Sequence, residues 1–278
     1  MTINCNGKLV DFKRTKVLGI LNVTPDSFYD GGNLKNEQAV IDKTKQMLTE
    51  GADFIDVGGY SSRPGAKDIS VAEEVNRVVP IVKILKKEFP NILLSIDTFR
   101  SEVANASLNE GAAMINDISA GGIDATMMTT VAEFNVPYIM MHMKGTPQTM
   151  KSLANYDTIT TEVCFYFSEK IAQARALGIN DVVIDAGFGF AKTTAHNFEL
   201  LNQLHILQQL EVPVLTGISR KSMIYKTIGS TPQEALNGTS ALHMIALQKG
   251  SNILRVHDVK AAKECILLHE ALKLAENV

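Results

Sequence analysis

The chain has 278 residues, room for one large α/β barrel or two ordinary domains. Hydrophobic residues make up 45% and charged residues 21%, a composition that excludes a disordered chain. A formal net charge of -3 argues against nucleic acid or an acidic membrane as partner, so an anionic ligand needs a local cluster of donors. Three cysteines, Cys5, Cys164 and Cys265, form no CxxC pair, which points to a reducing, cytoplasmic setting. The first residues hold no apolar signal core, and no apolar run is long enough to span a bilayer.

Thr2–Phe12 carries Asn6-Gly7 between short apolar stretches, the composition of a type I′ hairpin, and is expected to cap one end of the fold. The first buried run is Val17–Leu21, which ends in Asn22 and a loop reaching Gly32, followed by a helix from about Asn36 to Glu50. The second is Phe54–Val57 with Asp56 inside it, then Gly58-Gly-Tyr-Ser-Ser-Arg-Pro-Gly65 and a helix over about Val71–Glu88. Ile92–Ile96 ends in Asp97-Thr98 and leads to a helix near Ser101–Asn109. Ala113–Ile115 ends in Asn116-Asp117, with a short helix near Ala125–Phe134. Tyr138–Met141 ends in His142, and a long helix covers about Ile159–Leu177.

The sixth run, Val182-Val-Ile-Asp185, breaks into Ala-Gly-Phe-Gly-Phe190 and predicts a helix over about His196–Gln209. An aspartate ending an apolar strand must meet a donor, a metal or a ligand. Val212–Thr216 ends in Gly217-Ile-Ser-Arg-Lys221, with a helix from about Pro232 to Lys249. Ile253–Val256 contains Arg255, ends in His257-Asp258, and is followed by a helix over about Val259–Ala275. Eight strand-then-helix units of about 30 residues match a single-domain (β/α)8 TIM barrel with an N-terminal β-hairpin, spanning residues 1–278. A doubly wound open sheet also alternates its elements, but no strand here reads as a polar or proline-bearing edge.

In such a barrel the loops after the strands form the active face. Those positions carry Asn22, Asp56, Asp97, Asn116, His142, Asp185, Lys221, Arg255 and His257, whereas the loops before the strands are ordinary turns. Any one of them has a bland reading as a helix cap or loop support, but nine converging on one rim do not. Asp56 supports the loops or touches ligand, and Asp117 caps a turn; His142 reads as a rim histidine, and His243 as core or subunit packing. The acceptors Asp56, Asp97, Asn116 and Asp185 suit the N–H edges of a nitrogen heterocycle. Lys221, Arg255 and His257 follow the last two strands, the usual phosphate end of a barrel. An acidic half beside a basic half suits a heterocycle with a phosphorylated tail.

Gly19-Ile-Leu-Asn-Val-Thr-Pro-Asp-Ser-Phe28, Asp56-Val-Gly-Gly-Tyr-Ser-Ser-Arg-Pro-Gly-Ala66, Ser95-Ile-Asp-Thr98, Ile115-Asn-Asp117, Asp185-Ala-Gly-Phe-Gly-Phe190, Gly217-Ile-Ser-Arg-Lys-Ser222 and Arg255-Val-His-Asp258 succeed one another along the chain. In that order they resemble the dihydropteroate synthase family over essentially the whole length. The resemblance implies condensation of p-aminobenzoate with a dihydropterin methyl diphosphate, releasing diphosphate, in a cytoplasmic homodimer that is a sulfonamide target. It implies that Asp97, Asn116, Asp185 and Lys221 hold the pterin ring and that Asn22 coordinates Mg²⁺. Arg63, Arg255 and His257 would hold the diphosphate, and Ser62, Pro64, Ser219 and Lys221 would receive p-aminobenzoate. Asp97, Asp185, Lys221 and Arg255 would carry catalysis, by electrostatics and positioning rather than a nucleophile. The loops Val23–Gly32 and Gly58–Lys67 would close over the site. Where the family's second loop usually reads Gly-Glu-Ser-Thr-Arg-Pro-Gly, this chain has Tyr60 for the glutamate and Ser62 for the threonine, which keeps the hydroxyl and loses a methyl worth on the order of 1 kcal/mol. Two other readings share features: a pterin methyltransferase on the same barrel, which needs neither the Ser-Arg-Pro-Gly loop nor the Arg255/His257 pair, and a non-catalytic pterin-binding barrel, for which degraded loops would be the signature.

Overall fold

A computed structural model describes residues 1–23, 34–62 and 68–275. The loop expected to close over the site after Val23, and Arg63, Pro64 and the rest of the second loop through Lys67, lie outside the described residues.

The hairpin pairs β1 (Thr2–Cys5) antiparallel with β2 (Lys8–Asp11). Asn6 and Gly7 both have positive φ, 51° and 84°, as a type I′ turn requires. Eight parallel strands then close into a barrel in chain order: β3 (Lys16–Asn22), β4 (Phe54–Gly58), β5 (Leu94–Asp97), β6 (Met114–Asp117), β7 (Tyr138–Met141), β8 (Val182–Asp185), β9 (Val214–Thr216) and β10 (Ile253–Val256). Closure is the β3–β10 pairing, where Val17 lies beside Leu254. The helices are α1 (Leu34–Thr49), α2 (Val71–Glu88), α3 (Ser101–Asn109), α4 (Met127–Phe134), α5 (Ile159–Ala176), α6 (Thr194–Asn202), α7 (Ser222–Tyr225), α8 (Leu236–Gln248) and α9 (Val259–Ala275).

Each strand alternates between two cores. Ile55, Val57, Leu94, Ile96, Ile115, Tyr138, Val182, Ile184, Val214 and Leu254 face the helices. Leu18, Phe54, Met114, Ile139, Val183, Leu215 and Ile253 fill the barrel and pack against Ile3, Cys5 and Val10 of the hairpin, which plugs the floor. Stepping two residues up each strand reaches the same interior one level higher, and there the residues become polar: Phe54 is followed by Asp56, Met114 by Asn116, Val183 by Asp185 and Ile253 by Arg255. The register carries this level across strands, pairing Asp56 with Ser95, Gly58 with Asp97 and Asp97 with Asn116. An apolar floor thus lies directly beneath a polar mouth.

Three helix boundaries differ from expectation. α6 starts at Thr194 because the Thr193 hydroxyl accepts from His196 N while the His196 ring accepts from Thr193 N, a capping box. It ends at Asn202, and Leu204–Leu210 continues as a 3-10 helix that buries Leu204 and Leu207, three residues apart on one side. α8 starts at Leu236 rather than Pro232, because Arg220 Nη1 draws the Pro232 and Gln233 carbonyls at 2.9 and 2.5 Å out of helical register. α7 is a short helix with no counterpart in the sequence pattern.

Candidate active site at the barrel mouth

The mouth is organised by a chain of polar contacts between distant strands. Arg255 Nη2 donates to Asp97 Oδ2 at 2.5 Å, and Arg255 Nε donates to Asp56 Oδ2 at 2.6 Å. Asn116 Nδ2 donates to the same Asp56 oxygen at 3.0 Å. Four of the rim residues from β4, β5, β6 and β10 are therefore in one network. Asp56 is wholly enclosed, and its other oxygen, Oδ1, is buried with no hydrogen-bond partner among the described residues. Its carboxylate thus orients Asn116 and Arg255 from beneath.

Asp185 and Lys221 stand beside this network. Gly217 marks the meeting point: a Cβ there would lie 3.6 Å from Asp185 Oδ2 and 3.9 Å from both Arg255 Cβ and Lys221 Nζ. Gly58 plays the same part opposite, where a Cβ would lie 3.6 Å from Asn22 Oδ1 and from Asp97 Oδ2. Both glycines leave open the space into which the polar groups look. Lys221 Nζ donates to the Phe188 carbonyl at 2.5 Å and lies 5.0 Å from the Phe190 ring centre. Ser219 and His257 form a neighbouring pair, Oγ to Nδ1 at 3.0 Å, and His257 N donates to the same Oγ at 3.2 Å. Ser62 is half-buried at the edge of the described segment.

Burial sets the proton affinities. It raises the Asp97 pKa to about 7, against the pull of Arg255, and raises that of Asp185 against the pull of Lys221. The Lys221 pKa falls to about 8 through burial, with Asp185 opposing. Burial also works against the Arg255 cation, but Asp56 and Asp97 outweigh it and hold the guanidinium charged. The mouth therefore offers carboxylates ready to accept N–H groups and cations ready to meet an anion.

Side chains of the surrounding helices and turns brace this mouth. Buried Glu74 of α2 accepts from Thr98 Oγ1 at 2.7 Å and from Arg100 Nη1 at 2.9 Å, tying down the turn after Asp97. Asp117 accepts from Ser119 N, Gly121 N and Tyr138 Oη at 2.6–2.7 Å, stapling the loop after β6. Tyr60 is buried with Ile69, Phe99, Met143 and Met150, meets the Phe99 ring edge-on at 5.0 Å, and its hydroxyl accepts from Gln148 Nε2 at 3.0 Å. His142 is buried against Tyr166 and Lys192, a lysine that no sequence pattern singles out. His243 lies buried in α8, with burial lowering its pKa to about 4.

Comparison with known proteins agrees with this geometry. The model of the pterin binding enzyme family matches residues 18–257. The chain is 43% identical to the dihydropteroate synthase of Synechocystis sp., over 94% of this chain and 91% of that protein. It is 40% identical to the dihydropteroate synthase of Escherichia coli, over 100% of this chain and 99% of that protein. Among solved structures, Yersinia pestis dihydropteroate synthase in a sulfonamide drug complex superposes with a TM-score of 0.92 at 40% identity, covering 98% of this chain and 99% of that one. The Xanthomonas albilineans enzyme in complex with 7,8-dihydropteroate gives 0.85 at 34% identity, covering 98% of each chain. A barrel of eight parallel strands with a plugged floor, a mouth lined by Asp97, Asn116, Asp185, Lys221 and Arg255, and relatives matched end to end place the chain in the dihydropteroate synthase family of pterin-binding enzymes.

Proposed function

We propose that the polar layer of the mouth joins p-aminobenzoate to (7,8-dihydropterin-6-yl)methyl diphosphate, the dihydropteroate synthase reaction of folate biosynthesis and a transfer of the pterinylmethyl group. Asp97, Asn116 and Asp185 receive the N–H groups and face the edge of the ring, and Lys221 donates to its acceptors. The observation that carries this reading is the single network Asp97–Arg255–Asp56–Asn116, with Asp185 and Lys221 at its side. The methylene C–O bond breaks with its electron pair leaving on diphosphate. The ionised carboxylates stabilise positive charge spread from the methylene into the ring. The aniline nitrogen of p-aminobenzoate then forms the new C–N bond and gives up a proton. Arg255, His257 and Arg63 hold the departing diphosphate, and Ser62, Pro64, Ser219 and Lys221 receive the second substrate, where sulfonamides compete.

The donor set suits Mg²⁺. Asn22 ends β3 and presents an amide oxygen beside Gly58, the hard ligand that a magnesium ion shared with a diphosphate takes from protein. Among the described residues no three His, Cys, Asp or Glu side chains form a cage, so the remaining ligands would be diphosphate and water oxygens. Bound there, the ion supplies Lewis-acid neutralisation of the leaving group.

The assembly is a homodimer through α8 and α9, where Leu236, Ile245, Leu267, Leu268 and Leu272 are exposed. Among the described residues no helix is long and apolar enough to cross a membrane, and the three cysteines are unpaired thiols, as suits a cytoplasmic enzyme. The test is to mix the protein with both substrates and Mg²⁺ and follow dihydropteroate and diphosphate together. Equal amounts of both are expected, abolished by Asp185→Ala. Tight pterin binding without diphosphate release would leave a binding protein instead.

A further inference from the structure

The turn after β8, Asp185 to Lys192, points its carbonyls in two directions. On the mouth side Phe188 O meets Lys221 Nζ at 2.5 Å. On the far side Lys192 Nζ lies 2.9 Å from Gly187 O, 3.1 Å from Phe190 O, 3.3 Å from His142 O and 2.9 Å from His142 Nδ1. Lys192 is 9% exposed, so water does not compete for these bonds. An ammonium brings three N–H donors to these four acceptors, so one bond is shared; a neutral amine would bring two and leave a second acceptor without a donor of its own. Burial and the nearby Lys192 charge push the His142 pKa down to about 2, so the ring is neutral; Nδ1, which faces the ammonium at 2.9 Å, is then the acceptor in the tautomer that carries its proton on Nε2. The turn itself is drawn tightly onto β7: Gly187 has φ +69°, and a Cβ there would sit 2.1 Å from His142 O. Asn197 Oδ1 accepts from Gly189 N at 2.7 Å, and Tyr156 Oη donates to Ala191 O at 2.9 Å, so the outer half is tethered as well.

We propose that Lys192 is a positioning residue of the reaction: by fastening the Gly187 and Phe190 carbonyls to the end of β7, it sets the Phe188 carbonyl that aims Lys221 and the Phe190 ring beside it. This rests on the assignment of Asp185 and Lys221 to the pterin ring. Among the described residues, the charged groups that act on the Lys192 ammonium are Asp185, Lys221 and Lys144, and the His142 ring lies against it. Burial lowers its pKa to about 7, Asp185 acts to raise it, and Lys221 and Lys144 act to lower it.

A double-mutant cycle decides the matter. Lys192→Met, Lys221→Met and the double variant are compared for affinity toward 6-hydroxymethylpterin by calorimetry, with thermal melting of each. Lys192→Met is expected to weaken ring binding about 10-fold, the size of one charge-assisted hydrogen bond. The double variant is expected to bind within roughly twofold of Lys221→Met alone, because a chain without Lys221 has nothing left to aim. Loss of fold stability by itself would shift melting without producing this non-additivity. Lys192→Gln keeps an NH2 for Gly187 O and Phe190 O and is expected to regain part of the affinity; it takes the place of Lys192→Met in the cycle if that variant does not fold. A Lys192 variant that binds pterin like the wild type, or whose loss multiplies in full with that of Lys221→Met, overturns the proposal. If Lys221→Met itself binds like the wild type, the ring-site assignment fails, and the role of Lys192 with it.

Discussion

Removing the Asp56 carboxylate tests how the mouth is held. In Asp56→Ala, Arg255 Nε loses a partner at 2.6 Å and Asn116 Nδ2 loses one at 3.0 Å. Asp56 is 0% exposed and Arg255 19%, so the guanidinium regains some water and keeps Asp97. Breaking a buried pair from one side costs about 3–5 kcal/mol, and this partial exposure places the loss near 3 kcal/mol. With an unfolding entropy of about 2.1 cal/mol/K per residue, 278 residues convert that into a Tm drop of roughly 5 °C. Scanning calorimetry on Asp56→Ala, Arg255→Met and the double variant measures it directly. The cycle is expected to show about 1.5–3 kcal/mol of coupling, the range for a hydrogen bond to a charged group. The KM for the pterin diphosphate is expected to rise in Asp56→Ala, because Asn116 and Arg255 are no longer oriented. A Tm within 1 °C of wild type, or single losses that simply add to within about 0.5 kcal/mol, would refute the support assigned to Asp56.

Other consequences are open to measurement. Burial raises the Asp97 pKa from 3.8 to about 7, so the folded protein binds this proton more tightly than the unfolded chain; the Asp97 contribution to stability is therefore expected to fall as pH rises between these values and to level off above. Because the ring needs the ionised carboxylate, kcat/KM for the pterin diphosphate is expected to climb toward a plateau above pH 7, and persistence of that limb in Asp97→Asn would show that another group sets it. Gly187→Ala forces a Cβ to within 2.1 Å of His142 O at positive φ, and urea unfolding is expected to show a loss of about 2–4 kcal/mol; a loss under 0.5 kcal/mol would contradict the close packing of this turn on β7. Leu268→Arg with Leu272→Arg, both on the exposed face of α9, is expected to turn a dimer into a folded monomer in sedimentation, and an unchanged dimer would move the interface elsewhere.

The barrel was legible because its signal is local and repeated. Each largely apolar run of three to five residues ends in a polar group or glycine, and that grammar survives without knowledge of any neighbour. The rim residues were legible for the same reason: Asp97, Asn116 and Asp185 each follow an apolar run directly. What stayed hidden is partnership. Nothing local says that Arg255 reaches Asp56 across 199 positions, or that Glu74 leaves its own helix turn to hold Thr98 and Arg100. Lys192 was silent because a lone lysine after a glycine-rich turn reads as solvated surface until four acceptors are seen around it. The late start of α8 has the same origin, since a helix whose opening carbonyls answer a distant arginine cannot be read from propensity.

The seam between β3 and β10 joins Val17 to Leu254, and with them the first and last strands of the barrel. During synthesis the first barrel strand emerges early and must wait for the last before its edge is covered. Until then the hairpin side chains Ile3, Cys5 and Val10 have only part of their eventual packing, because Ile253 belongs to the same cluster. Ring closure thus cannot precede synthesis of β10, and a chain stalled short of residue 253 carries an open edge strand that invites pairing with its neighbours.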